Sequence, residues 1–439
     1  RTLHIFILLT FNRKEKVAQI FRKSTMSPKL GPNIGISFAL LALSLQCIII
    51  VLFVLYLDYP EYSSKKYIAT YAVFQDVNTM VFLGFGFMTT FLKRYARSGI
   101  AFTMLLAAFA LQWATILESL FFDSKNSKIR INMTSILHAD LSVVSALVSM
   151  GAILGNTSPI QLLLMAILEV TCFTTNKWLL MYLFQFDRKT SAMHLHLFGA
   201  MFGLTASRIL YRPGLRKGHE KEGSLPISNL FSMIGTCFLW MFWPSFNAAL
   251  LDVNSEKAVF NTYYALAACT VATFAISSHI HNEGKIDMSH IRNATLAGGV
   301  AVGLSAPLIP SAYIAMIIGF IAGVISTLGM KYLKGRLELY LKLHDTSGIL
   351  YTHGLPGIMG CIVYVVLLSV PSVSEDLQRV KVSHADYWQT ALFVTMTMGS
   401  LTGFVTGFIL KLNIWKQPSD MKCYDDQIYW EFPHLATII

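Results

Sequence analysis

The sequence predicts an all-α, polytopic membrane protein with about twelve transmembrane helices. Three observations carry that prediction. Of 439 residues, 54% are hydrophobic and only 13% charged, about half the charge of a soluble domain. Mean hydropathy is +0.54. Apolar runs of about 20 residues, the length needed to cross hydrocarbon, recur from end to end. A water-soluble fold would need a core larger than single domains build, so soluble enzymes, disordered chains and nucleic-acid-binding modules are excluded.

The expected crossings are 36–58, 69–92, 98–119, 133–155, 158–178, 190–211, 226–248, 258–280, 289–306, 310–331, 346–370 and 387–411. The links between them are short, polar or rich in Gly and Pro, such as Arg212-Pro213-Gly214 and Asn282-Glu283-Gly284. An even number of crossings puts both termini on one side. Most of the 35 basic residues fall on that face, and the opposite loops near Lys65, Lys125, Arg188, Lys257 and Arg379 hold fewer. By the positive-inside rule both ends are cytoplasmic. The net charge of +11 is then an orientation signal and no nucleic-acid footprint.

Residues 1–25 are expected to be an upstream extension outside the fold, because Met26 opens a basic, proline-containing lead. The lead covers 26–35, the transmembrane domain 36–412 and a cytoplasmic tail 413–439. The six cysteines (Cys47, Cys172, Cys237, Cys269, Cys361, Cys423) are scattered without metal-ligand spacing and read as small apolar residues. The sequon at Asn132 lies on the outer face beside a helix start, whereas those at Asn156 and Asn293 fall on the inner face and inside a helix. No GxSxG, HExxH, Walker or GxGxxG pattern occurs in a fitting context, so neither an enzyme nor a cofactor is expected. Gly-rich stretches such as Leu83-Gly84-Phe85-Gly86 and Ala297-Gly298-Gly299-Val300 suit close helix packing.

The informative residues are ionisable groups where hydrocarbon should be: Asp76, His138, Asp140, Glu169, His194, His196 and His353. Such groups are costly in a span and usually face the bundle interior or a pathway. For the carboxylates, helix capping or an internal hydrogen-bonded tie is the ordinary reading, with a vestibule role as the alternative. Asp345, in His344-Asp345-Thr346-Ser347-Gly348, fits an N-cap for the eleventh crossing.

His196 and His353 form a pair in the sequence pattern. Each precedes a glycine by seven residues, Gly203 and Gly360, on a helix rich in small residues. Their helices lie five crossings apart, an odd number, so the two copies run in opposite directions. That is the signature of an inverted repeat, whose shared site lies near the bilayer midplane. Two stacked neutral imidazoles offer polar contacts without fixed charge. A bare cation meets a large desolvation penalty there. Ammonium has an escape that potassium lacks: it can leave its proton behind and cross as a small neutral molecule. The plainer alternative is a histidine pair that ties two helices together.

At these residues the sequence resembles the Rh branch of the ammonium transporter superfamily. The resemblance runs from Met26 to the tail and is carried by Phe74-Gln75-Asp76-Val77, Phe238-Leu239-Trp240-Met241-Phe242-Trp243-Pro244-Ser245-Phe246-Asn247, Asn293-Ala294-Thr295-Leu296-Ala297-Gly298-Gly299 and Thr352-His353-Gly354-Leu355-Pro356-Gly357. The tail, Tyr424 to Leu435, looks most like the blood-group branch, and much of the middle is closer to the Rh-associated glycoproteins. The resemblance implies an eleven-helix core built as a five-plus-five inverted repeat, one extra N-terminal helix, and assembly as a homotrimer or a mixed trimer with related subunits in the plasma membrane.

It also implies that His196 and His353 are the twin pore histidines and Phe246 the inner member of a phenylalanine gate. The outer member would follow Asp140, where this chain has Leu141; the constriction stays apolar but loses a ring face for cation–π contact. The expected function is a passive ammonia channel. The alternatives are a non-conducting structural Rh subunit anchored to the cytoskeleton, and a carbon dioxide conduit. Asp425, Asp426, Tyr429 and Trp430 in the tail could meet a cytoskeletal adaptor or fold back on the assembly.

Overall fold

The computed structural model describes residues 34–58, 64–122, 129–215, 219–251, 254–370 and 385–431. The extension and most of the lead, residues 1–33, lie outside them. Nine helices among the described residues are long and apolar enough to cross a membrane. In this article's numbering they are α1 (Ile34–Tyr56), α4 (Ala96–Phe122), α5 (Met133–Ala152), α6 (Pro159–Phe184), α9 (Pro226–Ala248), α10 (Ser255–His279), α13 (Ala312–Tyr332), α15 (Leu355–Leu368, entered through a π turn at Leu350–Gly354) and α16 (Ala385–Leu410).

The other three expected crossings are present but broken. One runs from α2 (Ser64–Thr79) through a π turn at Met80–Gly84 into α3 (Phe85–Met88). The second is α7 (Arg188–Ala192) followed by α8 (Leu195–Leu210), and the third α11 (Met288–Ala294) followed by α12 (Ala297–Gly303). A short surface helix, α14 (Lys334–Leu341), precedes the eleventh crossing. Among the described residues the extended structure is one two-residue parallel pair, Leu57–Asp58 against Ile129–Arg130, and an isolated antiparallel bridge between Leu92 and Ser224.

Local chemistry sets the helix starts. Asn132 and Ser135 form a reciprocal capping box at α5, and Ser158 with Gln161 does the same at α6, where Pro159 takes the first turn. These side chains satisfy amide groups that a helix start leaves free. In lipid such groups have no water to turn to. The outward faces are apolar: on α1, Leu40, Leu43 and Val54 are each more than 60% exposed on the chain, as suits a helix facing hydrocarbon.

Small residues draw the crossings together. A β-carbon on Gly319 of α13 would stand 2.0 Å from the Ala265 carbonyl oxygen of α10, so only glycine allows this approach. The two glycines singled out by the sequence pattern make corresponding contacts. A β-carbon on Gly203 would lie 2.7 Å from Ser149 Cα in the fourth crossing, and one on Gly360 2.8 Å from the Ala301 oxygen in the ninth. Both members of each contact are therefore displaced by five crossings, the relation an inverted repeat requires.

The tail packs back on its own chain. The Asp426 carboxylate accepts the backbone N–H groups of Arg97 (3.0 Å) and Ser98 (2.8 Å), capping α4 from a distance in sequence of more than 300 residues. Asp425 pairs with Lys221 at 2.7 Å. Tyr429 meets Phe102 edge-on at 5.1 Å, and the Trp430 indole donates to Ser98 Oγ at 2.9 Å.

Candidate functional site

Two histidines meet at the middle of the bundle because two helices are interrupted beside them. In the sixth crossing, Asp187 caps α7 by accepting the Thr190 N–H, and the chain breaks at Met193 and His194 before α8 begins. His194 serves this turn: its Nδ1 lies 3.1 Å from the Thr190 carbonyl and its ring stacks on Phe186. Two residues on, His196 points into the bundle. In the eleventh crossing, Asp345 accepts the N–H groups of Gly348, Ile349 and Leu350 at 2.9–3.0 Å. His353 then sits in the π turn just before Pro356. Proline has no N–H to return to the carbonyl four residues back, which here is that of Thr352. π turns often mark functional positions.

The rings of His196 and His353 stack with centroids 5.2 Å apart and planes 20° from parallel. Trp243 lies alongside both, 5.6 Å from His196 and 6.3 Å from His353. Phe246 stands 5.9 Å from His196 at one end of the column, and Phe85 6.4 Å from His353 at the other. Pro244 inside α9 lies between Trp243 and Phe246. Gly299 makes room for the indole, since a β-carbon there would lie 2.8 Å from it.

All five rings are buried. Neither ring nitrogen of His196, nor Nδ1 of His353, takes a hydrogen bond from the protein. A buried polar atom left this way costs about 1–3 kcal/mol. Three such atoms converge in one apolar column, with hydrogen-bonding capacity that the protein itself leaves unused.

The remaining expected residues divide. Leu141 is fully buried on α5, in the same apolar cluster as Phe246. Its neighbour Asp140 is fully buried, and its carboxylate oxygens find no protein partner. His138, two residues before Asp140, is buried with Nδ1 unpartnered. Glu169 is a tie between helices: it accepts Ser145 Oγ at 3.0 Å and Ser149 Oγ at 2.6 Å, and Ser149 also lies 2.7 Å from the Gly199 carbonyl beside the histidine helix. Asp76 is only half-buried on α2 and stands apart from the ring column. Among the described residues no group of three or more His, Cys, Asp or Glu could hold a metal ion.

Three features escaped the sequence reading. Trp243 completes the histidine stack, and its signal was its place in the quoted tryptophan-rich stretch. Arg292 is buried at the ninth crossing with its guanidinium 3.8 Å above the Phe91 ring; a basic residue inside an expected span was the available signal. Glu118 and Lys177 form a fully buried ion pair, joined by Ser142 and by Arg188 at 3.0 Å. Both lie near the ends of expected crossings, where a charge is easily mistaken for one that reaches water.

Broken crossings folded around a histidine-lined, aromatic-walled column define a multi-pass membrane protein of the channel and transporter class. The chain belongs to the ammonium transporter family: residues 38–429 match the Ammonium Transporter Family. It is 43% identical to "Ammonium transporter Rh type B" of Danio rerio over 431 residues, covering 91% of this chain and 94% of that protein. It is equally 43% identical to "Ammonium transporter Rh type A" of Mus musculus, covering 91% and 95%. Among solved structures it resembles Nitrosomonas europaea Rh50, described with the "mechanism of conduction by Rhesus protein family of channels". That match has a TM-score of 0.73 at 29% identity and covers 85% of this chain and 95% of the other. Candida albicans Mep2 shares the fold, with a TM-score of 0.63 at 16% identity, covering 80% and 86%.

Proposed function

We propose that this protein is a passive ammonia channel of the plasma membrane, with both termini cytoplasmic and His196 and His353 as the pore histidines. The stacked, buried histidine pair carries the reading. Ammonium arriving at the Phe246 end would have to shed its water to enter an apolar column, at large cost. It leaves its proton to water at the mouth, enters as ammonia, and takes up a proton again on the far side. The unpartnered imidazole nitrogens can accept from and donate to ammonia in transit, which lowers the barrier without offering a cation a counter-charge. Leu141 beside Asp140 keeps the outer constriction apolar, so Phe246 supplies the ring face there. Asp140, Asp76, Glu169 and Asp345 are proposed as vestibule or structural acids, and the last two hold backbone and helices in place.

Assembly as a trimer, alone or mixed with related Rh subunits, belongs to the same proposal, supported by the membership of the family. The docked tail, with Asp425 and Asp426 engaged on the protein's own surface, favours a self-contacting tail over a free adaptor site. No catalysis is proposed.

The test is the rate of internal alkalinisation in proteoliposomes exposed to an ammonium gradient, comparing the intact protein with its H196A/H353A double variant. Acceleration by the intact protein and its loss in a folded double variant support the channel. If both match empty vesicles, the protein is a non-conducting subunit. Acidification driven by carbon dioxide in the same vesicles separates an ammonia channel from a general gas conduit.

A further inference from the structure

Two cavities lie on the tail side of the histidine pair. The inner one, about 30 Å³, reaches His353, Thr352 and Phe85; it is large enough for one water-sized molecule. The outer one is a vestibule of about 730 Å³ open toward Lys331, Lys334, Arg336, Glu222 and Glu338. Arg292 and Phe91 alone belong to both linings. We propose that the Arg292–Phe91 stack is the inner constriction of the passage and a charge filter that admits neutral solutes and turns back cations. This rests on the reading of the passage as an ammonia channel and adds a specificity-determining residue to it.

The position of the pair is held from both sides. The Arg292 carbonyl accepts Thr236 Oγ1 at 3.1 Å, and the neighbouring Asn293 amide donates to the Ser347 carbonyl at 2.9 Å. The Phe91 carbonyl accepts Ser228 Oγ at 2.8 Å. Both carbonyls are therefore tied to the same helix, α9, which fixes the two partners against one another. Arg292 is buried, with 4% of its surface exposed. It has no ion pair among the described residues, and Nε takes no hydrogen bond. Its 3.8 Å approach to the ring is a close cation–π contact.

Arginine remains charged at any physiological pH. The Asp287 carboxylate at the start of α11 acts on this charge from beyond ion-pair distance, and in a poorly screened interior the guanidinium still repels a second cation over several ångströms. Ammonia carries only a dipole and is not turned back. The histidine column penalises a cation for losing water. Arg292 adds direct repulsion at the opposite end, so an ion or a proton crossing from the vestibule meets a second, independent barrier.

The experiment compares R292Q and R292M, which both remove the charge, with R292K, which keeps it. Methionine is the second choice because an apolar side chain of similar length often suits a site that held a buried charge. Two readings are taken on the same proteoliposomes: ammonia-driven alkalinisation, and ammonium-evoked current on a supported membrane. The filter predicts that whichever neutral variant folds keeps alkalinisation within about twofold and gains about tenfold in current, while R292K stays at the intact level. Unchanged current in a folded neutral variant overturns the filter. An intact protein that gives no alkalinisation overturns the channel reading instead. In that case, flux or current appearing only in the neutral variants upholds Arg292 as a barrier, and none appearing removes it.

Discussion

The Tyr424 hydroxyl lies 3.2 Å from Nε2 of His344, joining the tail to the loop that leads into the eleventh crossing. The same ring is held between two carboxylates: Nδ1 is 3.0 Å from Glu338 and Nε2 is 3.1 Å from Glu222. One imidazole thus links the tail, α14 and the loop before α9 at the mouth of the vestibule. Burial alone would lower its pKa, but hydrogen bonds and negative charge from Glu222 and Glu338 outweigh burial and raise it to about 9.

A pH dependence follows with a definite sign. A group whose folded pKa is raised binds its proton more tightly when folded. Its contribution is complete below its unfolded value of about 6.5 and is lost as pH rises toward about 9. The size is about 3 kcal/mol. Thermal unfolding in detergent should therefore show the intact protein losing stability between pH 6.5 and 9, with the tail becoming open to protease first. H344Q should have a much flatter profile over that interval. Equal slopes would remove His344 from the lock.

Gly155 is a further point where the tail is held. Its φ is +83°, a region costly for residues with a side chain, and its carbonyl accepts the Tyr424 N–H at 2.8 Å. A β-carbon there would lie 2.3 Å from Tyr424 Cδ1. G155A should cost about 1–3 kcal/mol and raise hydrogen exchange in residues 420–430. Combining it with Y424A should cost less than the two single changes added, because the clash disappears with the ring. Simple additivity would show that strain at residue 155 does not act through the tail.

The Glu118–Lys177 pair sets a third expectation. Both side chains are fully buried, and Arg188, at 21% exposure, is the less buried cation on the same carboxylate. K177M leaves a buried carboxylate short of a partner and should destabilise by about 3–5 kcal/mol. E118Q/K177M removes both charges and should regain most of that loss. Chemical unfolding of the two variants and of E118Q decides the point; a double variant no better than K177M would mean that the pair is not coupled.

How far these features were legible in the sequence differs by kind. All twelve crossings can be read as apolar runs, because transfer from water to hydrocarbon depends on the residues of one run. Hydropathy does not register where a backbone hydrogen-bond ladder stops, so the breaks at Met193–His194 and Thr295–Leu296 and the π turn at Met80–Gly84 are invisible to it. Pro356, by contrast, is a visible breaker beside His353.

The histidine pair was legible for a particular reason: an inverted repeat writes its site twice, so His196 with Gly203 and His353 with Gly360 can be matched without a structure. Arg292 is written once. Its partner ring, Phe91, lies in another crossing, and its meaning depends on the two cavities it separates. Glu118 and Lys177 are 59 positions apart, and nothing local says that each buries the other.

The sequence by itself determined the membrane class, the number of crossings and the two histidines set against each other in inverted halves. These follow from local composition and repetition along the chain. Tertiary structure alone decided that the rings stack at 5.2 Å beside Trp243, that Arg292 closes over Phe91, and that the tail docks on His344 and Gly155. Each depends on which distant segments approach, and that choice is made by packing, steric room at glycine and the cost of leaving a buried polar group alone.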